Sequence, residues 1–319
     1  MRVSGSRLQV LSMKTIDAHQ HFWNYSVEEY GWIDDSMEVL KKDFLPADLE
    51  PLLQNSGIGR SVAVQARTSV EETEWLLKLA DENDSVAAVV GWLDLRSPQL
   101  EEQLKKYAAN PKLVGLREIL QDQEPEYMLD ADFVRGVKLL GQYDLAYDLL
   151  VFPRHLKAVK QLLAQLPAQR LVIDHLAKPL IGEGLIDEWA EELHALAKHE
   201  HVYCKLSGMV TETGPDWLES DFTPYMEVIF DAFGEERIMY GSDWPVCLLR
   251  ADYSQVCDIA RNFVKEYSAT AEEKVFGLNA SKLYNIQLHN TKVLGNGENE
   301  PPNEQQNLND ASDGVVGHR

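Results

Sequence analysis

The sequence has few cysteines and a shortage of basic residues. Its three cysteines, Cys204, Cys247 and Cys257, are too scattered for a CxxC site or a disulfide framework, so we expect a reducing compartment, the cytoplasm. Lys and Arg number 30 against 52 Asp and Glu, a net charge of −22. Because nucleic acids and anionic membrane surfaces are bound through dense positive charge, the composition argues against both partners.

Long hydrophobic runs are missing as well. No apolar run approaches the ~18–20 residues that span a bilayer, and the longest, around residues 86–93, contains Gly91. The first twelve residues carry Arg2 and Arg7 but no apolar stretch typical of a secretion signal. Met13 lies directly before the first structured run and is a second candidate start. We therefore expect a soluble protein.

The last thirty residues contain no aromatic side chain and are rich in Asn, Gln, Gly and Glu. Such a segment buries too little apolar area to offset the entropy of ordering it, so residues 290–319 are predicted to be a disordered tail. Residues 1–13 are interpreted as an N-terminal extension. The remaining residues, 14–289, are predicted to form one domain.

Short apolar runs alternate with amphipathic stretches throughout this domain. The predicted strands are residues 16–22, 61–66, 86–93, 113–118, 145–151, 171–175, 202–207 and 238–242. The segments with helical periodicity between them include residues 72–81, 98–107, 131–140, 155–166, 186–199 and 225–233. Eight strands alternating with helices indicate a parallel α/β sheet with right-handed crossovers.

Eight is the number of strands that closes a (β/α)8 TIM barrel, which is the predicted fold. The alternative, a doubly wound open sheet, usually has a glycine-rich turn after its first strand. Here the first strand contains the bulky polar run Asp17-Ala18-His19-Gln20-His21 instead.

In a barrel, residues at the C-terminal ends of the strands face the active-site mouth. The predicted strand ends carry a dense ring of polar and titratable side chains. Its members are His19, His21, Gln65, Arg67, Asp94, Arg117, Glu118, Asp148, His175, Lys178, Lys205, Ser207 and Asp243.

Three histidines and one carboxylate stand out in this ring. His19 and His21 are two residues apart on a strand, so both point the same way and suit a metal ion or one substrate oxygen. His175 follows a buried apolar run, where a histidine bonded to a backbone carbonyl is the alternative. Asp243 is placed to accept a proton from water or to ligate a metal, or else to cap a short helix.

Three further charged residues allow two interpretations each. Arg117 can bind substrate oxygens with its planar fork, or form a salt bridge with Glu118 or Asp148. Asp148 lies in a buried strand, so its charge is either functional or paired with Arg or Lys. Lys178 can bind an anionic substrate or be solvated.

Other aromatic and histidine residues have simpler explanations. Trp23 and Trp244 flank the mouth, where they serve as packing or as an apolar platform for a sugar-like ligand. His155 is expected at the surface, at the start of a helix. The spacing of His194, His199 and His201 is typical of a metal cluster, but they fall at the opposite end of the barrel, which argues against one.

Three segments resemble the amidohydrolase superfamily: IDAHQHFW at 16–23, DHLAKP at 174–179 and YGSDWP at 240–245. More narrowly they resemble the amidohydrolase-related (family 2) branch, which contains sugar-acid lactonases acting on L-fuconolactone and L-rhamnonolactone. VGLR at 114–117, YDLLV at 147–151 and CKLSG at 204–208 are similar to that lactonase group. The resemblance spans residues 14–285.

The resemblance also bears on metal content. Metal-dependent members of the superfamily typically have a histidine at the end of strand five as well as strand six, and often a lysine at strand four that bridges two metals. At strands five and four this chain has Asp148 and Arg117. The resemblance therefore implies either no required metal or one divalent ion, Zn²⁺ or Mn²⁺, on His19, His21 and Asp243. No organic cofactor is expected.

The function implied by the resemblance is hydrolysis of a small-molecule aldonolactone. Asp243 is expected to act as general base, while His19, His21 and His175 polarise the carbonyl. The residues expected to bind substrate are Arg117, Lys178, Gln65, Trp23, Trp244 and Asp148. The main alternative is a metal-dependent decarboxylase of an unsaturated or aromatic acid on the same barrel.

The same barrel is compatible with two further functions. One is a non-catalytic barrel that binds a sugar acid. The other is a retaining glycosidase, which needs two carboxylates ~5 Å apart in the mouth. The sequence is compatible with a homo-oligomer but does not specify the oligomeric state.

Overall fold

The computed structural model describes residues 14–288. The predictions for residues 1–13, for His289 and for residues 290–319 lie outside the described residues. Within the described range, no helix is long and apolar enough to cross a membrane.

Eight parallel strands form one sheet in sequence order. They are β1 (Ile16–Gln20), β2 (Arg60–Val64), β3 (Val86–Gly91), β4 (Leu113–Glu118), β5 (Ala146–Leu149), β6 (Leu171–Ile173), β7 (Val202–Leu206) and β8 (Ile238–Tyr240). A parallel bridge between Gln20 and Trp244 joins the two edges. The predicted (β/α)8 barrel is confirmed. Most strands end earlier than predicted, because the polar residues that follow leave the ladder to line the mouth.

Helices surround this sheet. They are α1 (Pro46–Asn55), α2 (Val70–Glu82), α3 (Leu100–Tyr107), α4 (Ala131–Gln142), α5 (Leu156–Leu163), α6 (Asp187–Ala197), α7 (Glu219–Phe233), α8 (Tyr253–Tyr267), α9 (Ala271–Glu273) and α10 (Asn279–Tyr284). All six helical segments named from the sequence are present. Their apolar faces pack against the outside of the strands and form the main core.

The barrel interior is a separate, smaller core. Inward-facing residues such as Val62, Val90 and Val172 fill it, and side chains of α10 join them from below. Two arginines at the N-terminal ends of strands hold this segment: Arg60 donates to the carbonyl of Gln287 at 2.7 Å, and Arg170 to that of Leu283 at 2.8 Å. The helix α10 therefore covers the end of the barrel opposite the mouth.

The seam between β1 and β8 is reinforced by Asp17. One carboxylate oxygen accepts hydrogen bonds from the backbone N–H groups of His19 (3.1 Å) and Ser242 (2.9 Å), and the other accepts one from the hydroxyl of Tyr253 (3.0 Å). Burial raises the pKa of Asp17 to about 6 despite these bonds. Asp17 thus fixes the segments that carry the mouth residues of both edge strands.

One sequence expectation about histidine is wrong. His155 is fully buried rather than at the surface. Its Nδ1 accepts a hydrogen bond from the backbone N–H of Phe152 at 3.1 Å, and its Nε2 donates to the carbonyl of Gln123 at 2.9 Å. The ring is buried because it links the start of α5 to the preceding loop.

Candidate active site

His19 and His21 meet at the mouth end of β1. Their Nε2 atoms lie 3.3 Å apart. The Nδ1 of His21 lies 2.8 Å from the carbonyl oxygen of Val64. A carbonyl only accepts, so this Nδ1 carries the ring proton, and the Nε2 of His21 presents a lone pair to the mouth.

Asp243 completes the centre of the site. It follows β8 in a left-handed conformation (φ 56°), and its backbone N–H donates to the carbonyl of His19 at 2.8 Å. Its Oδ1 lies 3.4 Å from Nε2 of His21, 3.9 Å from Nε2 of His19 and 3.8 Å from Nε2 of His175. Burial alone would raise the pKa of Asp243, but these three imidazoles, His175 foremost, hold it well below its usual range. The carboxylate is therefore ionised and surrounded by imidazoles.

His175 approaches from the end of β6. It begins a run of left-handed residues that ends at Lys178, and its Nδ1 lies 2.8 Å from the hydroxyl of Ser207. Burial lowers the pKa of His175 to about 4, so the ring is neutral near pH 7. Gly208 lies directly behind it: a Cβ there would come within 2.6 Å of the ring. The close approach requires glycine at this position.

His19 lies at the base of the site, between two cationic side chains. The Nζ of Lys205 lies 3.1 Å from its Nδ1, and Nη1 of Arg117 lies 3.2 Å from its Nε2. The carboxylate of Asp174 is also 3.5 Å from Nδ1. Burial, followed by the charge of Lys205, lowers the pKa of His19 well below its ordinary value. This ring is therefore neutral too.

Arg117 is locked in place by neighbours other than the two that the sequence suggested. Its Nη1 donates to Asp174 at 3.1 Å, and its Nη2 donates to the side-chain oxygen of Gln65 at 2.8 Å. The pairing with Glu118 or Asp148 is wrong; the carboxylate partner is Asp174. The Nε2 of Gln65 has no hydrogen-bond partner among the described residues, which leaves a buried donor at the site.

Asp148 lies below the mouth rather than in it. Its Oδ2 accepts hydrogen bonds from Lys205 at 2.6 Å and from the hydroxyl of Tyr284 at 2.7 Å, and all three side chains are buried. The expectation that this buried charge has a basic partner is confirmed. The placement gives Asp148 no access to a ligand in the mouth.

Trp23 and Trp244 are both buried in an aromatic cluster. Trp23 donates from Nε1 to the carbonyl of Lys42 at 2.9 Å, and both indoles pack edge-on against Phe44. Each is at most 2% exposed. The structure therefore gives them a packing role beside the site, and neither offers an open face to a sugar.

Lys178 lies at the rim of the mouth. Its Nζ is 3.7 Å from Glu212 and 5.4 Å from the ring centroid of Phe152. Burial raises the pKa of Glu212, and the charge of Asp243 adds to this, which places the two carboxylates in one electrostatic environment. The sequence analysis missed Glu212, because it follows β7 by six residues and no strand-end pattern includes it.

The donor set at the centre fits one metal ion. Within the described residues, two groups of ligand atoms lie within 4.8 Å of one another: His19, His21 and Asp243, and His19, Asp174 and His175. Two imidazole nitrogens and a carboxylate are a donor set typical of Zn²⁺. The lone pair that His21 turns to the mouth supports this fit. The cationic groups of Arg117 and Lys205 both lie next to His19, so they disfavour the binding of a second metal ion beside that ring.

A sequence model of the amidohydrolase family ("Amidohydrolase") matches residues 16–286, which is nearly the whole described chain. The chain belongs to the amidohydrolase family. This confirms the resemblance drawn from the sequence motifs.

Two curated relatives match most of the chain. An L-fucono-1,5-lactonase of Burkholderia multivorans is 43% identical over 284 residues, 84% of this chain and 95% of that protein. A second, from Burkholderia ambifaria, is 39% identical over 284 residues, 85% of this chain and 95% of that protein. A crystal structure of an amidohydrolase from Burkholderia multivorans with bound zinc superposes with a TM-score of 0.83 at 42% identity, covering 86% of this chain and 99% of that one.

Proposed function

We propose that this amidohydrolase hydrolyses a sugar-acid lactone of the L-fucono-1,5-lactone type. The observation that carries the proposal is the ionised Asp243 carboxylate within 3.4–3.9 Å of three imidazoles. An anionic base beside neutral nitrogen groups suits attack of water on an ester carbonyl. The two lactonase relatives, each 39% identical or more, support this substrate class.

The proposed reaction begins when Asp243 takes a proton from water at Oδ1. The resulting hydroxide attacks the lactone carbonyl carbon, and the carbonyl oxygen becomes an oxyanion. His19 and His175 are placed to stabilise that developing charge, whereas His21, whose Nε2 carries no proton, takes no part in this. The bond from the carbonyl carbon to the ring oxygen then breaks, and the ring oxygen receives the proton held by Asp243. The product is an open hydroxy acid.

A bound divalent ion would be held by His19, His21 and Asp243 and would supply Lewis-acid polarisation of the carbonyl. The residues of this chain place the base and exclude bulk water in either case, because all three are at most 5% exposed.

The substrate hydroxyls are proposed to bind at two places. The unpartnered Nε2 of Gln65 offers one buried donor, oriented by Arg117. Lys178 and Glu212 offer a second, polar contact at the rim, with side chains 18% and 15% exposed. We also propose that the enzyme acts in the cytoplasm on this one small-molecule substrate; a homo-oligomer is compatible with the proposal.

The test is proton release from a panel of L- and D-aldonolactones, measured with a chelator and again with added Zn²⁺ or Mn²⁺. Rapid turnover of one lactone supports the proposal, and the comparison of the two conditions shows whether the imidazoles act alone. If no lactone is opened under any condition, the lactonase proposal is wrong.

The decarboxylase alternative has weaker support. It depends on a firmly held divalent ion, whereas Arg117 and Lys205 place two positive charges within 3.2 Å of the His19 ring. It becomes the leading hypothesis only if the lactone panel is silent.

A further inference from the structure

Four consecutive residues after β6 adopt the left-handed backbone conformation. Their φ angles are 53° at His175, 55° at Leu176, 59° at Ala177 and 51° at Lys178, and none of the four is glycine. For an L-residue this conformation brings Cβ too close to the following carbonyl oxygen, so residues other than glycine visit it rarely and singly. A run of four persists only where the surrounding structure holds it. We call residues 175–178 the left-handed turn.

The two ends of the left-handed turn carry side chains of the mouth. The Nε2 of His175 lies 3.8 Å from Oδ1 of Asp243, and the Nζ of Lys178 lies 3.7 Å from Glu212 at the rim. The two residues between them have no exposed surface and belong to the main core. Because the backbone angles set the direction of each side chain, another conformation here would turn His175 away from Asp243.

A hydrogen bond from α6 reaches the middle of the left-handed turn. Trp189, in the first turn of α6, donates from Nε1 to the carbonyl of Leu176 at 2.7 Å. The indole is only 4% exposed. Its ring is itself held in place, because it packs against Tyr225 of α7 with the ring centroids 5.4 Å apart. The outer layer of helices is thereby connected to the backbone beside His175.

This hydrogen bond selects the left-handed conformation. A carbonyl in a left-handed residue points in a direction that neither the extended nor the right-handed conformation reproduces. The indole N–H of Trp189 therefore meets the carbonyl of Leu176 only while the turn keeps its hand. Both groups are buried, and a buried donor or acceptor without a partner is unfavourable. Any other backbone conformation of the turn would leave the two groups unpaired.

We propose that Trp189 is a positioning residue, whose indole N–H holds the left-handed turn and so keeps His175 against Asp243 and Lys178 at the rim. Trp189 acts from the outer layer of helices, through the backbone of the turn. The kinetic consequence rests on the proposed lactonase function, whereas the conformation of the turn does not.

The conformation of the turn is tested by hydrogen–deuterium exchange of peptides that cover residues 174–186, in the full chain. Within the turn, the backbone N–H of Lys178 donates to the carbonyl of His175 at 2.7 Å, so it exchanges slowly while the turn is intact. Trp189→Phe should speed exchange in these peptides about tenfold, as loss of a buried hydrogen bond does. Trp189 replaced by β-(3-benzothienyl)alanine, which keeps the shape of the indole and lacks its N–H, should do the same.

The matched control is Trp217→Phe. Trp217 also donates from its indole to a backbone carbonyl, that of Arg250 at 3.0 Å, but Arg250 has an ordinary φ of −140°. Lactone turnover should fall about tenfold in kcat in both Trp189 variants, with a rise in KM because Lys178 moves with the turn. Trp217→Phe should leave the kinetics and the exchange of residues 174–186 as in the wild type.

A glycine in the turn separates the hydrogen bond from ring packing. Glycine adopts the left-handed conformation as readily as the right-handed one. Ala177→Gly combined with Trp189→Phe should therefore recover most of the lost kcat and restore slow exchange. A glycine at this position cannot replace packing lost at residue 189.

Three outcomes would overturn the proposal. The benzothienyl variant could keep wild-type exchange and kcat, Trp217→Phe could produce the same losses, or Ala177→Gly could restore nothing in the Trp189→Phe background. A wild-type enzyme that opens no lactone refutes the proposed function instead, and the exchange measurements still decide whether Trp189 holds the turn.

Discussion

The charge states of single residues in this site follow from what surrounds each of them. Asp243 remains ionised although it is only 4% exposed, because three imidazoles face its Oδ1. His175 and His19 remain neutral because burial disfavours their protonated forms. Attack of water on a carbonyl requires a charged base beside uncharged groups that polarise the carbonyl. This site has that combination.

Replacing Asp243 with Asn should lower kcat by at least about a hundredfold, because the amide cannot accept the proton of the attacking water. The measurement is lactone turnover with saturating substrate. The control is Asp94→Asn, since Asp94 follows β3 at the same end of the barrel but is solvent-exposed and caps its own loop. Near wild-type turnover in Asp243→Asn would remove Asp243 from the role of base.

Glycine 208 gives a second prediction at this scale. Gly208→Ala and Gly184→Ala both place a side chain at a positive φ, +67° and +66°, which costs about 1–2 kcal/mol in each. Only at Gly208 does the new Cβ meet His175, at 2.6 Å, whereas nothing lies within 4 Å at Gly184.

Gly208→Ala should therefore lower kcat on the order of a hundredfold, as a displaced reacting group does, while Gly184→Ala retains activity. Urea unfolding and kcat measured on both variants separate the two effects. Equal activity in the two variants would show that His175 tolerates displacement.

The sequence identifies the residues at the strand ends but not the partners inside the barrel. His19, His21, His175 and Asp243 were predicted because strand-end position and residue type suffice to find them. The partner of Arg117 was not predicted: Asp174 precedes His175, and only the closed barrel brings it within 3.1 Å. Tyr284 lies 136 positions from Asp148, and no local pattern links the two.

At the scale of elements, the start of α2 is attached to the site by a buried carboxylate. Glu72 in the first turn of α2 accepts hydrogen bonds from the backbone N–H groups of Ala66 (3.1 Å) and Arg67 (3.0 Å). It also accepts one from the hydroxyl of Tyr30, which belongs to the segment after β1. Glu72 thereby links α2, the residues that follow β2 and the segment after β1, next to Gln65. Burial raises its pKa to about 7.

This pKa predicts a loss of stability as the pH rises. Below about pH 4.5 the carboxyl of Glu72 is protonated in both the folded and the unfolded chain, so it adds no pH dependence to the free energy of unfolding. Between about 4.5 and 7 the unfolded chain ionises while the folded one stays protonated, so the free energy of unfolding falls. Above 7 both states are ionised and the loss, on the order of 3 kcal/mol, stays constant.

Urea unfolding between pH 4.5 and 7.5 should show that Glu72→Gln lacks this fall. The control is Glu71→Gln, because Glu71 is exposed in the same turn and its hydrogen bond with Ser69 lowers its pKa instead. Parallel pH profiles for the wild type and Glu72→Gln would show that Glu72 ionises freely in the folded protein.

The order of the elements was predictable because strand and helix periods alternate clearly along the chain. The exact strand ends were not. Predicted β1 extends to Phe22, but the strand ends at Gln20, where the bridge to Trp244 closes the sheet. Hydrophobicity does not mark that point, since closure depends on contact with a segment more than 200 residues away.

On the scale of the whole molecule, the packed interior leaves no thiol accessible. Cys204, Cys247 and Cys257 each have zero exposed surface, and burial raises the pKa of all three thiols, that of Cys257 to about 11. They lie in β7, after β8 and in α8 respectively. The three thiols therefore report on the part of the barrel formed by β7, β8 and α8.

We expect Ellman's reagent at pH 8 to label no thiol in the native protein and all three in denaturant. Since only the thiolate reacts, burial and the raised pKa act together. Any slow labelling over longer times should follow the rate at which the barrel unfolds as a unit. Rapid labelling of a single cysteine would instead show local opening of the element that carries it.

The carboxylate at the centre of the mouth has a consequence for how the proposed reaction ends. The lactone that enters is uncharged, whereas the hydroxy acid that forms is an anion at neutral pH. It is created beside Asp243, in a protein whose net charge is −22. Like charges repel, so the site should bind the anionic product more weakly than the uncharged lactone. Product inhibition should be weak at low ionic strength and grow as salt screens the repulsion, and re-closure of the ring should be disfavoured for the same electrostatic reason.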